Sequence, residues 1–262
     1  METSFRELHH GDRPLVLPNA WDIGSALAFV DAGFPAVATT SAGINFSAGH
    51  ADGTQASREA NLALARALTR LPVLVSMDIE DAYSEDPSQA AEYVARLAEL
   101  GVAGINIEDS FAEQLVAPER QAAKIAAIKA RCPEIFINAR VDTFWFGIDA
   151  TVAATAQRAA AYVEAGADGV FVPGASRPED LRELASEIAA PLNVLALPNL
   201  TVAELGELGV RRVSTGSLPY RAAIHASTLS ATALRDGGAL PPAPTYHELQ
   251  RRAVEYARKS NS

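Results

Sequence analysis

A chain of 262 residues is long enough to bury a sizeable core in one large domain, and a hydrophobic share of 48% with 21% charged residues excludes a disordered composition. The net charge of -10 excludes the basic footprint that nucleic-acid binding needs. No apolar run approaches the ~20 residues of a membrane span and the start lacks a signal-type apolar stretch, so a cytoplasmic protein with no membrane partner is expected; a single cysteine, Cys132, excludes an internal disulfide framework.

Short β-branched runs alternate with Ala/Leu-rich helical segments from end to end. Strands are predicted at Leu15–Leu17, Ala36–Thr40, Val73–Met77, Gly104–Ile107, Ile135–Ala139, Gly169–Val172, Asn193–Ala196 and Arg212–Ser214. Their continuous apolar character suits parallel strands buried on both faces. Asp86-Pro87 marks one helix start, after which Ala90, Val94 and Leu97 share a face. Asp149 and Thr201 read as further N-caps, the latter with Glu204 in capping-box position.

Four helices run into strands through one pattern, at Ala32-Gly33, Leu100-Gly101, Ala165-Gly166 and Leu208-Gly209. A glycine there takes the left-handed conformation that stops a helix. A doubly wound open sheet would use the same connection, but eight strand–helix units in all favour an α/β fold of the (β/α)8 TIM-type barrel kind over residues 1–238, with residues 239–262 a C-terminal proline-rich linker and helix. No G-x-G-x-x-G follows the first strand, which argues against a dinucleotide-binding sheet.

Chemistry in such barrels sits at the carboxyl ends of the strands. The polar residues there are Asn19 and Asp22; Ser41, Gly43 and Asp52; Asp78, Glu80 and Asp81; Glu108 and Asp109; Arg140 and Asp142; and Ser214, Thr215 and Ser217. This is a dense acidic cluster with one arginine opposite. Like charges in one site raise each other's pKa, and a hard divalent cation bound by oxygen relieves them. Asp109 and Asp81 also suit helix N-caps, whereas Asp78 and Glu80 at a strand end suit function. The lysines Lys124, Lys129 and Lys259 fall in predicted helices, which argues against a Schiff-base mechanism. His9, His10 and His247 lie in terminal segments, His225 in the last helix, and His50 in a strand-end loop. Neither a zinc site nor a Ser-His-Asp triad is supported.

The segments Thr40-Ser41-Ala42-Gly43, Gly49-His50-Ala51-Asp52-Gly53, Asp78-Ile79-Glu80-Asp81-Ala82-Tyr83, Gly104-Ile105-Asn106-Ile107-Glu108-Asp109 and Ile137-Asn138-Ala139-Arg140-Val141-Asp142 together resemble the isocitrate lyase/phosphoenolpyruvate mutase superfamily. The resemblance runs from about Leu15 to Ser217. It implies an enzyme that binds a small 2-oxo or 2-hydroxy (di)carboxylate through Mg²⁺ (or Mn²⁺) and breaks or rearranges a C–C or P–C bond through an enolate. By position, Asp78 would ligate the metal, with Glu80 and Glu108 holding it through water. Arg140 would bind a carboxylate or the enolate oxygen; Ser41, Ala42 and Gly43 would grip the carboxylate; Asp52 would lie near the reacting carbon. Glu108 and Arg140 thus count among the catalytic groups, and Asn193 would line the inner wall. The family also implies a homo-oligomer, dimer or tetramer, with exchange of a C-terminal helix, and Tyr220–Arg235 is a segment that suits either such an exchange or closure of its own barrel.

Where the family's lyases carry a Lys-Lys-Cys-Gly-His type loop, this chain reads Ser110-Phe111-Ala112-Glu113-Gln114-Leu115, without lysine or cysteine. Pro173 stands where the mutases carry a histidine, and Ala82 and Ser84 replace the glycines around Tyr83. The resemblance therefore implies a metal-dependent C–C lyase or decarboxylase ahead of a P–C mutase or hydrolase, and both ahead of a metabolite-binding barrel without catalysis.

Overall fold

The computed structural model describes residues 3–258. Its first strand is broken by Pro18, which cannot donate to a ladder, into β1 (Leu15–Leu17) and β2 (Asn19–Ala20). The break closes the barrel. β1 pairs with the last strand, β11 (Val210–Ser214), while β2 pairs with β3 (Ala36–Thr39). Around the ring follow β4 (Leu74–Asp78), β5 (Gly104–Glu108), β8 (Phe136–Arg140), β9 (Gly169–Phe171) and β10 (Leu192–Leu195), all parallel. Each predicted strand is present, with no end moved by more than two residues. A two-stranded hairpin the sequence did not reveal, β6 (Ser110–Phe111) with β7 (Gln114–Leu115), fills the loop after β5 and turns through left-handed Ala112 and Glu113.

The caps explain the helix starts. α4 (Pro87–Glu99) is capped by Asp86 and buries Ala90, Val94 and Leu97, and α9 (Val202–Glu207) carries the Thr201/Glu204 capping box. The cap expected at Asp149 belongs instead to Thr151, which opens α7 (Val152–Glu164). Asp149 has φ 48°, far from the extended backbone an N-cap adopts.

Alternate strand residues point into the barrel. Its floor is apolar: Leu15, Leu17, Ala36, Ala38 and Phe136 cluster with Phe5. His9, which the sequence places in a terminal segment, plugs this floor by stacking on Phe136 at 4.1 Å. Gly104 is required here, because a Cβ would come within 2.7 Å of the Phe5 ring. Above the floor the usual layer of branched apolar side chains is replaced by polar ones. Asn138 donates to Asn106 (2.9 Å), as does Arg212 (3.0 Å), and Ser214 donates to Asn193 (3.1 Å). Arg212 is fully buried, and burial brings its guanidinium down to about 9, still charged at neutral pH.

Past the barrel, α10 (Leu218–Asp236) has no buried residue and exposes Ile224, Leu229 and Leu234. The final helix, α11 (Tyr246–Arg258), returns to the barrel wall. The Tyr256 hydroxyl donates to the Ala67 carbonyl (3.0 Å) and Arg252 pairs with Asp31 (2.7 Å). Among the described residues no helix is long and apolar enough to cross a membrane.

Candidate active site

The carboxyl ends of the strands surround a cavity of about 480 Å³, a size typical of small-molecule sites. Asn19, Thr40, Ser41, Ala42, Asp52, Asp78, Asn106 and Arg140 line its polar side. Trp145, Phe171, Pro173, Leu195, Leu197 and Leu218 line its apolar side. A smaller cavity beside it is bounded by Asp52, Glu80, Asp81, Glu108, Ser110 and Arg140.

Ser41 is the first residue of α2 (Ser41–Ser47), which begins directly after β3. Its amide (2.9 Å) and hydroxyl (3.0 Å) both donate to Asp78 Oδ2, and the hydroxyl also reaches Asp52 at 3.4 Å. The Asp78 amide is fixed in turn by the Thr39 hydroxyl (2.8 Å). Burial raises the Asp78 carboxyl to about 6, against the pull of Arg140.

Arg140 is clamped between two acids. Its Nη1 lies 2.7 Å from Glu108 Oε2 and its Nε 2.6 Å from Asp142 Oδ1. Asp142 is oriented by the Ser110 hydroxyl (2.5 Å). Burial opposes the charge on Arg140, but Asp142 and Glu108 more than compensate and hold its pKa above the ordinary value. Burial pushes Glu108 well above the carboxylate range, with Arg140 working against it and Asp142, Asp78 and Asp52 adding to it.

Three acids of the predicted cluster serve the scaffold. Asp109 accepts from Arg158 Nε and the Tyr162 hydroxyl, both at 2.7 Å, and from the Asp142 amide at 2.9 Å. It therefore ties β5 and β8 to α7 and is not the N-cap expected, a place Ala117 takes. Asp81 accepts two bonds from the Gln55 side chain and faces the buried Lys124, 3.8 Å away. It is no N-cap either, since Asp86 holds that position. Asp22 caps α1 (Ile23–Asp31) by accepting from the Ser25 amide.

Glu80, with φ 49°, points back under the segment that carries Asp52. Its Oε1 accepts from Asn45 Nδ2 (3.1 Å) and the Ser57 hydroxyl (2.5 Å), and its Oε2 from the Gln55 amide (2.9 Å). Gly43 gives its amide to the Thr40 hydroxyl at 3.3 Å and does not line the cavity, although Ser41 and Ala42 do. Asn193 lies one layer lower in the barrel, beneath Ser214. Cys132 and His50 do not line the cavity.

The remaining acids fit a hard cation chemically. Asp78 Oδ1 and Glu108 Oε1 accept no hydrogen bond among the described residues, and burial makes both carboxylates costly as bare anions. Among the described residues no three acid, histidine or cysteine side chains form a ready-made cage. Mg²⁺ can be held by one or two carboxylates together with several waters. Glu80 fits less well, because all its described bonds go to the Asp52 segment.

Sequence reasoning did not find Trp145, Phe171 and Arg221 in the cavity wall, nor Arg212 beneath it. For Arg212 a signal existed: it alternates with Ser214, so one faces inward where the other does. For Trp145 and Arg221, which the short helix Thr143–Phe146 after β8 and the start of α10 deliver, no local pattern existed.

Barrel and cavity define an acid-lined (β/α)8 fold whose polar groups gather at the strand ends, where such folds keep their chemistry. The phosphoenolpyruvate phosphomutase family matches residues 5–235, and the chain belongs to it and to the isocitrate lyase/phosphoenolpyruvate mutase superfamily. An uncharacterised protein of Mycobacterium tuberculosis is 54% identical over 99% of both chains. A 2-methylisocitrate lyase of Halalkalibacterium halodurans is 34% identical over 75% of this chain and 66% of its own. Among solved structures, phosphonopyruvate hydrolase in complex with oxalate and Mg²⁺ superposes with a TM-score of 0.82, at 25% identity over 97% of this chain and 96% of that one.

Proposed function

We propose that the protein is a Mg²⁺-dependent C–C lyase or decarboxylase acting on a small 2-oxo or 2-hydroxy (di)carboxylate. The observation that carries this reading is the Arg140 arrangement. Glu108 and Asp142 take Nη1 and Nε, while Nη2 has no acceptor among the described residues and the side chain lines the cavity. A guanidinium held in this way meets a planar oxyanion without reorganising.

As the bond beside the carbonyl breaks, its electron pair moves onto the carbonyl oxygen and forms an enolate. Arg140 stabilises that charge in a cavity whose apolar wall is formed by Trp145, Phe171 and Leu195. Ser41 orients Asp78, and Asp52, which borders both cavities, is placed to transfer the proton that the enolate or hydroxyl requires. Asp78 and Glu108 would hold Mg²⁺, which would supply Lewis-acid polarisation of the carbonyl. The lyase relative favours C–C cleavage, and the hydrolase neighbour supports P–C cleavage as the second reading. We further propose a homo-oligomer in which the unpartnered face of α10 packs against a second copy.

The test is calorimetric titration of oxalate with Mg²⁺ present, followed by a panel of oxo and hydroxy acids scored for pyruvate and for phosphate release. Binding of oxalate that D78N abolishes, with carbonyl product and no phosphate, is the expected result. Phosphate release without C–C cleavage overturns the lyase assignment, and no oxalate binding overturns the site.

A further inference from the structure

We propose that Arg221 binds the far carboxylate of the substrate, so that the cavity selects dicarboxylates over the corresponding monoacids. This rests on the reading of the cavity given above and names its substrate class more closely.

The charged residues lining the cavity are Asp52, Asp78, Arg140 and Arg221. The two cations differ in kind. Arg140 is buried among acids that already offset its charge. Arg221 lies at the end of the first turn of α10, is exposed, and has no acidic partner among the described residues, where its amide donates to the Ser217 carbonyl and its guanidinium makes no hydrogen bond. In a chain of net charge -10, a cation on a cavity wall without an acid beside it is free to take an anion from solution.

The volume leaves room for a second anchor. An acid of about six non-hydrogen atoms occupies at most roughly 180 Å³, even at the ~30 Å³ that a water claims in the liquid. That is well under half of the 480 Å³ available. The head of the substrate engages Arg140, and the rest of the cavity wall includes Leu195, Leu197, Pro198, Leu218 and Arg221. An aliphatic stretch suits that wall. A second carboxylate without a cation at its end would lose hydration for no return, whereas a guanidinium accepts it through paired N–H bonds.

Competition against oxalate tests this, with 2-oxoglutarate and 2-oxobutyrate as probes in the presence of Mg²⁺. The wild-type protein is expected to prefer the diacid by about tenfold or more. R221Q should bring the two acids within about twofold of each other, and R221K should keep most of the preference. R211Q, an equal charge change on an exposed residue outside the cavity, should keep the wild-type ratio. An R221Q protein that retains the preference, a wild type without one, or an R211Q protein that loses it overturns the proposal. Each of these outcomes with oxalate still bound leaves the reading of the deep site standing; a wild type that binds no oxalate overturns both.

Discussion

Arg140 Nη1 and Glu108 Oε2 meet at 2.7 Å because strands β8 and β5 run in a register that sets the two residues side by side. Each is costly to bury alone, and each makes the other tolerable. Removing one partner of such a pair costs about 3–5 kcal/mol, because a buried charge is left uncompensated. R140A is therefore expected to lower thermal stability by that amount and to abolish oxalate binding. The triple variant R140M/E108Q/D142N, which neutralises both acids that face Arg140, should recover much of the stability and none of the binding. Thermal melts and calorimetry on the same samples separate the two effects.

Glu80 accepts all three of its hydrogen bonds from the chain that flanks Asp52. Hydrogen bonds to a charged group contribute roughly 1.5–3 kcal/mol each. E80A should therefore loosen the segment from Ala48 to Ser57 while the barrel stays folded. Amide exchange at Gln55 should accelerate by more than about tenfold, which corresponds to ~1.4 kcal/mol. Unchanged exchange there would show that other contacts hold the segment.

Asp109 is held by Tyr162 and Arg158 at the outer side of the barrel. Y162F removes one charge-assisted bond and is expected to cost about 1.5–3 kcal/mol, or roughly 2–4 °C of melting temperature per kcal/mol in a chain of this size. Oxalate affinity should not move, since neither residue borders the main cavity.

His9 makes the fold acid-sensitive. Burial on the barrel floor, with charged Arg212 adding to it, lowers its pKa from 6.5 to about 3. The unfolded chain binds this proton more readily than the folded one. The stability that neutral His9 permits is thus complete above about pH 6.5 and is lost at up to ~1.4 kcal/mol per pH unit as pH falls toward 3. H9Q should flatten the stability profile across that window, as denaturant melts at pH 4 and pH 7 would measure. A slope identical to wild type would place the acid sensitivity elsewhere.

Much of this architecture was legible in the sequence. Helix stops at Gly33, Gly101, Gly166 and Gly209 are local events, and continuous apolar strands report burial on both faces wherever they pack. Counting eight units therefore gave the barrel, and reading the residue after each strand end gave Ser41, Asp78, Glu108 and Arg140. These identities and their shared face are properties of the chain itself, because βα connectivity sends every strand end to the same side. What each side chain does there was decided by tertiary contact. Asp109 and Asp81 look like Asp78 in the sequence, yet Arg158, Tyr162, Gln55 and Lys124, all distant in the chain, turn them into struts. His9 and Arg212 gained their meaning only when the barrel closed over them, and the burial that closure imposes sets their charge states. Sequence spacing fixes which groups arrive at the strand ends; the low-dielectric interior, built from residues far apart in the chain, decides which of them remain free to meet a substrate.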